Sequence, residues 1–152
     1  MNDKISYGRK TDLALDTWVK LARAFSTVEK KSIENIRSFG LTQPQFSVLD
    51  VLGHLGPMKV GQICDKMLVS GGNMTLVLDN LEKSELIERV HSKDDRRAII
   101  VQLTKKGREL FESIFSKHAE FIADIYNVLN ANEQKELGSL LKRLGTLIKE
   151  NK

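Results

Sequence analysis

The most constraining part of the sequence lies between Pro57 and Arg108, where four short segments with regular hydrophobic patterns follow one another. Residues 60–68 and 70–83 carry apolar side chains at the spacing of an amphipathic helix. Residues 87–91 and 98–104 alternate apolar and polar side chains around a charged segment, as the strands of a β-hairpin do. The order helix, turn, helix, hairpin predicts a winged helix-turn-helix, in a mostly α-helical fold with a small β-hairpin wing.

Amphipathic helices flank this unit on both sides. Residues 12–38 predict one long helix, and residues 105–150 predict two more. A shorter helix precedes Pro57 and extends the winged helix-turn-helix to residues 42–104, with only a small edge strand expected after it. Capping signals mark three helix starts, at Thr42 (with Gln45), at Thr104 and at Asn130 (with Glu133).

The apolar stripes of the flanking helices are wider than a small winged unit can cover alone. A second copy is the simplest partner, so we expect residues 12–38 and 105–150 to form a dimerisation region within a single domain of residues 1–152. A compact monomeric bundle is the alternative. Two copies on a twofold axis would meet a pseudo-palindromic duplex with half-sites about 34 Å apart.

Composition indicates the cellular compartment more than the function. The chain has 152 residues and one cysteine, Cys64, which excludes an intramolecular disulfide and favours a reducing cytoplasm. Cys64 falls on an apolar helix face and is interpreted as a small buried hydrophobe, with a redox-sensing thiol as the alternative. No apolar run approaches the length of a membrane span, so we expect a cytoplasmic protein without a membrane partner.

The charge distribution does not decide whether the chain binds nucleic acid. The formal net charge is +4, but residues 57–103 carry seven basic and seven acidic side chains. What matters is the face on which each charge lies. The sequence holds no nucleophile with a base, no carboxylate pair and no phosphate-binding glycine loop, so an enzyme is not expected. Three scattered histidines and one cysteine predict neither a metal site nor a cofactor.

In a winged helix-turn-helix the second helix enters the major groove and the wing reaches the adjacent backbone or minor groove. The helical spacing turns Met74, Val77, Leu78 and Leu81 towards the core. The opposite arc and the wing predict these DNA contacts: Ser70, Gly72, Asn73, Thr75, Leu76, Lys83, Lys93, Arg96 and Arg97. Asp95 is expected to pair with one of the two wing arginines and brace the hairpin, and either arginine can take that part. A solvated helix face and a plain charged turn are the alternatives.

Three stretches of the sequence resemble the MarR family of bacterial transcription regulators. They are TQPQFSVL (residues 42–49), NMTLVLDNLEK (residues 73–83) and DRRAIIVQLTKKG (residues 95–107), and the resemblance extends over essentially the whole chain. The last stretch, with its DRR on the wing before an apolar strand and LTxxG, is the most specific. The resemblance implies an obligate dimer that binds palindromic DNA and is often released by small aromatic ligands.

Three positions depart from the family pattern. Leu76 stands where many members carry arginine, Glu85 replaces the usual glycine after the recognition helix, and Lys93 with Asp94 forms a wing tip without the usual arginine. These differences bear on sequence specificity and wing depth and leave the fold expectation unchanged.

The resemblance also suggests where a ligand would bind. Relatives hold ligands in the crevice between the dimerisation helices (residues 12–38 and 105–150) and the winged helix-turn-helix (residues 42–104, called the reading unit below). The candidates for lining this crevice are Trp18, Phe25, Phe46, His54, Phe111 and Phe115. Aromatic residues at helical spacing are also typical of plain core. His91 and His118 are expected to be exposed.

The leading hypothesis is a homodimeric repressor released by a small aromatic or lipophilic effector, and the alternative is a dimeric protein-interaction scaffold with weak or lost DNA binding.

Overall fold

The computed structural model describes residues 5–67, 71–91 and 98–150, with the backbone alone for residues 71–73 and 148–150. The described elements are six helices and three strands. In chain order they are α1 (Arg9–Ser38), α2 (Gln43–Leu55), β1 (Met58–Lys59), α3 (Val60–Met67), α4 (Gly71–Lys83), β2 (Ile87–His91), β3 (Ile99–Leu103), α5 (Lys105–Tyr126) and α6 (Ala131–Glu150). The mostly α-helical winged fold expected from the sequence is confirmed.

Local capping explains where the helices start. The capping box at the start of α2 is present, with Gln45 N donating to Thr42 Oγ1 and Thr42 N donating to Gln45 Oε1. Thr104 Oγ1 accepts from Gly107 N at the start of α5, and Asn130 and Glu133 pair reciprocally at the start of α6. All three caps were predicted from sequence.

Helix α1 begins at Arg9, three residues earlier than the predicted start at Asp12. The Asp12 carboxylate accepts hydrogen bonds from Ser6 Oγ at 2.6 Å and from Tyr7 N at 2.9 Å. These bonds hold the chain ahead of Asp12 against the first turn, so the helix extends through residues whose sequence shows no hydrophobic period.

The sheet is antiparallel with the strand order β1-β3-β2. Ile87 of β2 pairs with Leu103 of β3, and His91 pairs with Ile99 at the other end of the hairpin. The two-residue strand β1 joins the other edge, where Met58 pairs with Val101. The predicted hairpin and small edge strand are both confirmed.

The core lies inside the winged unit, where α2, α3 and α4 pack against the sheet. Its most deeply buried side chains, all at 0% exposure, are Val48, Leu49, Ile63, Leu81 and Val101. Cys64 is partly buried and packs against this core, as expected. At Gly107, helix α5 packs closely against Leu86, which lies between α4 and β2. An added Cβ at Gly107 would lie 1.8 Å from the Leu86 carbonyl oxygen. The helix that follows the wing is therefore fixed against the reading unit.

The flanking helices are covered very differently. In α1 only Ile36, near its C-terminal end, is buried, and every described side chain of α6 from Ala131 to Leu147 is exposed. Their exposed apolar side chains are Leu13, Leu15, Trp18, Val19, Phe25, Leu137, Leu140, Leu141, Leu144 and Leu147. A single chain thus leaves the two apolar faces open.

Candidate nucleic-acid interface

Helix α4 has one buried face, and that face orients the whole helix. Met74, Leu78 and Leu81 are at most 2% exposed, and Val77 is partly buried beside them. Their spacing of three and four residues puts them on one side of the helix. The predicted core-facing stripe of the recognition helix is confirmed.

The opposite face of α4 is open. Thr75, Leu76, Asp79 and Lys83 are all exposed, and Leu76 retains 65% of its accessible surface. Gly72 lies in the first turn of the helix. The remaining predicted DNA contacts and the bracing residue are Asn73, for which the backbone is described, and Ser70, Lys93, Asp95, Arg96 and Arg97, which lie outside the described residues. The described part of the predicted site is one continuous surface.

An arginine on β2 ties this helix to the sheet. Arg89 Nη2 donates to Asp79 Oδ1 at 2.6 Å, Nη1 donates to Glu82 Oε2, and Arg89 N donates to Glu82 Oε1 at 3.2 Å. The Arg89 side chain is 23% exposed, against 54% for Asp79 and 40% for Glu82. Partial burial lowers the pKa of Arg89, but the hydrogen bond with Asp79 and the charge of Glu82 outweigh burial and raise the pKa above its ordinary value. The Arg89 guanidinium therefore stays charged and neutralises the carboxylates of Asp79 and Glu82 on α4.

The contacts of Arg89 with Asp79 and Glu82, called the Arg89 clamp below, were not predicted from the sequence, although one feature of the sequence indicated them. In an alternating strand, Ile87 and Arg89 share a face, and Ile87 is 1% exposed. A charged residue at an inward-facing position needs a partner of opposite charge. The acids of the helix that precedes the strand, Asp79 and Glu82, are candidates for that partner.

The turn after α4 keeps the backbone shape that a glycine would supply. Glu85 has φ of 60°, a left-handed conformation that is unfavourable for a residue with a Cβ. Thr104 Oγ1 donates to the Glu85 carbonyl at 2.6 Å, and Lys106 Nζ donates to the Ser84 carbonyl at 2.8 Å. These bonds satisfy two carbonyls of the turn and hold its left-handed residue in place.

Three aromatic contacts line the junction of α2 and α5. His54 packs edge-on against Phe115 at 4.4 Å and against Phe111 at 5.1 Å, measured between ring centroids. Phe46 contacts His118 at 4.8 Å. Phe46 and Phe111 are buried, whereas His54 stays exposed, with Nδ1 2.9 Å from Asp50 Oδ1. The junction therefore opens to solvent on the His54 side.

One prediction about these residues stays a prediction and another was wrong. Trp18 and Phe25 are 64% and 63% exposed on α1 in a single chain, so their place in a ligand crevice stays a prediction. His118 was expected to be exposed but is 9% exposed, and Nδ1 lies 2.7 Å from Asn35 Oδ1. Burial lowers the pKa of His118 below 6.5, against an opposing effect of the Asp50 charge. His91 is exposed, as predicted.

Phe25 lines an apolar groove between α1, α5 and α6. The groove has a volume of about 310 Å³, and its lining includes Leu21, Phe25, Ile125, Leu137 and Leu141. It is continuous with the exposed apolar face of α6. Within residues 5–67, 71–91 and 98–150, no helix is long and apolar enough to cross a bilayer, and no three metal-binding side chains cluster.

A helix with a buried stripe and an open face, held against a three-stranded wing sheet, defines the winged helix-turn-helix class. Comparisons with known proteins identify the family within this class. A profile described as "MarR family" matches residues 41–99. The HTH-type transcriptional regulator MhqR of Bacillus subtilis is 36% identical over 140 residues, covering 92% of this chain and 97% of the relative. The chain belongs to the MarR family of transcription regulators.

Two further relatives are informative. The HTH-type transcriptional repressor MdtR of Bacillus subtilis is 30% identical over 87% of this chain and 85% of its own length. The solved structure of BpsR from Bordetella bronchiseptica, whose DNA binding is regulated by 6-hydroxynicotinic acid, is 27% identical with a TM-score of 0.72. That alignment covers 82% of this chain and 89% of BpsR.

Proposed function

We propose that this chain is a homodimeric repressor that binds a pseudo-palindromic operator and is released by a small aromatic or lipophilic effector. The observation that carries the proposal is the open face of α4. A helix whose back is fixed in a core, and whose front presents Thr75, Leu76 and Lys83 to solvent, has the shape that fits a major groove.

The charge of the reading unit fits this proposal once the Arg89 clamp is considered. Seven acids offset seven bases in residues 57–103, but Asp79 and Glu82 are held by one guanidinium. Lys83 remains exposed at the end of the same helix, and Arg96 and Arg97 follow on the wing in the sequence. We assign phosphate contacts to Lys83, to Lys93 and to one of the two wing arginines, and we assign the other arginine to pairing with Asp95, which braces the wing.

The dimer is supported by the open apolar faces of α1 and α6. Trp18 is 64% exposed and Leu144 is 49% exposed, and the groove that contains Phe25 adjoins the same surface. Large contiguous apolar surfaces of this kind mark interaction sites. We assign residues 12–38 and 105–150 to pairing two copies, with the two α4 helices about one helical turn, or about 34 Å, apart.

The effector is assigned to the junction of α2 and α5. His54 and Phe115 lie on its more exposed side, and Phe46 and Phe111 are buried. An aromatic ligand there would contact the first helix of the reading unit and the dimerisation helix α5 together, so it would favour one relative placement of the two. Release then follows as a population shift towards a dimer whose α4 helices are wrongly spaced. The regulation of BpsR by 6-hydroxynicotinic acid is consistent with this class of ligand.

The test begins with the oligomeric state and a random duplex library. Analytical ultracentrifugation of the full chain should give a dimer, and repeated selection from the library should enrich a pseudo-palindromic sequence. Lys83→Ala should weaken binding to that duplex and make the salt dependence shallower by about one contact per half-site. Lys117→Ala, an exposed lysine on α5, is the matched control and should bind as the unmodified chain does.

Two results would overturn the proposal. If the chain is a monomer at working concentration, it cannot hold two α4 helices on the two half-sites of a pseudo-palindrome. A chain that enriches no duplex, and whose binding ignores both Lys83→Ala and the double variant with Arg96→Ala and Arg97→Ala, would be a protein-interaction scaffold.

A further inference from the structure

We propose that Leu76 is a specificity-determining residue that selects thymine in each half-site by covering its C5-methyl group. The inference rests on the proposed DNA binding and adds to it the base that is read and the atom that reads it.

Leu76 lies on the face of α4 opposite the core. At 100° per residue, Leu76 lies about 160° from both Met74 and Leu78, the two most deeply buried positions near it. The side chain is 65% exposed, the largest exposed apolar side chain of the helix. Burying such a side chain in water-free contact is favourable, so the groove that α4 enters must offer an apolar surface there.

The major groove has one apolar feature on its base edges. Guanine, cytosine and adenine present hydrogen-bond donors and acceptors in that groove, and thymine alone adds a methyl group. A leucine side chain can neither donate nor accept a hydrogen bond. Placed over a guanine edge it would strip water from two acceptors without replacing the bonds, which is unfavourable. Leu76 therefore favours thymine and disfavours guanine at the same position.

The neighbours of Leu76 do not compete for that base. Asp79, one turn further along the same face, is paired through Oδ1 with Arg89 at 2.6 Å and carries no apolar group that could cover a methyl. Lys83, two turns along, is the last residue of the helix and is assigned above to a phosphate contact. Thr75 is exposed beside Leu76 and carries the only other methyl group among these four exposed side chains of α4. The experiment must separate Leu76 from Thr75.

The experiment removes the methyl group from the DNA and its partner from the protein. In the duplex enriched from the random library, each thymine is replaced in turn, in both half-sites, by deoxyuridine, which lacks only the methyl group. Affinity is measured by fluorescence anisotropy at one fixed salt concentration, because the phosphate contribution changes with salt. The full-length chain, Leu76→Ala and Leu55→Ala are compared. Leu55 is 58% exposed at the end of α2 and is the matched control.

One thymine position should respond. Its replacement should weaken binding by the unmodified chain about fourfold per half-site, the equivalent of one methylene-sized group leaving a buried contact, and about 15-fold with both half-sites changed. Leu76→Ala should lose this response and bind the two duplexes equally, whereas Leu55→Ala should retain it. Alanine favours helix at this exposed position, so the variant should fold.

Two results would overturn the inference while leaving the proposed function intact. A selected duplex in which no thymine replacement weakens binding would show that no methyl is read. A response that persists in Leu76→Ala would assign the methyl contact to another side chain, with Thr75 the first candidate. If no duplex is enriched at all, the inference fails together with the proposed function.

Discussion

The sharpest prediction concerns Arg89, because this residue of β2 is paired with two acids of α4, the helix proposed to enter the major groove. Arg89→Ala removes the ion pairs with Asp79 and Glu82 and leaves both carboxylates in place. Partly exposed ion pairs contribute about 0.5–1 kcal/mol each. Asp79 at 54% exposure belongs at the low end of that range, and Glu82 at 40% belongs nearer the high end. With the lost packing of the aliphatic stem, the free energy of unfolding should fall by about 1.5 kcal/mol.

The loss should be visible in both stability and DNA binding. For a chain of this size the melting temperature should drop by about 5 °C at fixed protein concentration. DNA affinity should fall in addition, because the Asp79 carboxylate returns to the face that meets phosphates. One unit charge at about 4 Å in water contributes about 1 kcal/mol, or about a fivefold loss per half-site.

A second substitution separates the two effects. Adding Asp79→Asn to Arg89→Ala removes the free charge and should restore DNA affinity, while the melting temperature stays low. Gln102→Ala is the control, since Gln102 Nε2 donates to Glu88 across the same hairpin at 2.8 Å without touching α4. If Arg89→Ala weakens DNA binding no more than the control does, or if Asp79→Asn restores nothing, Arg89 does not act by neutralising Asp79.

Three further predictions concern stability. Glu85→Gly should raise the free energy of unfolding by about 1 kcal/mol in urea denaturation, because the residue at φ of 60° loses its Cβ clash; a decrease would show that its side-chain contacts matter more. Gly107→Ala should destabilise the fold by at least about 3 kcal/mol, since its Cβ would lie 1.8 Å from the Leu86 carbonyl oxygen, whereas Gly61→Ala meets no atom within 4 Å and should stabilise α3 slightly. Equal effects of the two alanines would contradict the packing. His118 has a lowered pKa in the folded chain, so its contribution to stability is complete above pH 6.5 and is lost as the pH falls below that value; His118→Gln should show a shallower loss between pH 7 and pH 5 in thermal melts, and an unchanged slope would contradict the burial.

The parts of the fold that sequence predicted well depend on contacts within a few residues. The buried stripe of α4 follows from a spacing of three and four residues, and the capping box at Thr42 and Gln45 forms within one turn. The hairpin follows from alternation on both sides of a charged segment. In each case the signal and the structure share the same short stretch of chain.

The features that sequence did not predict depend on how separate elements pack. Arg89 reaches Asp79 across ten positions, and their contact exists only because β2 lies against α4. The place of Trp18 stays a prediction, because a stripe on a helix does not identify what covers it. His118 was predictable in part, since it follows Ile114 by four residues and so shares its buried face.

The most direct test of paired reading helices is chemical interference mapping on the selected duplex, in which single major-groove base edges are modified and scored for loss of binding. Two symmetric clusters of interfering bases should appear on one face of the duplex, with centres about one helical turn apart. A single cluster, or interference confined to the minor groove, would contradict the assignment of α4 to the major groove of two half-sites.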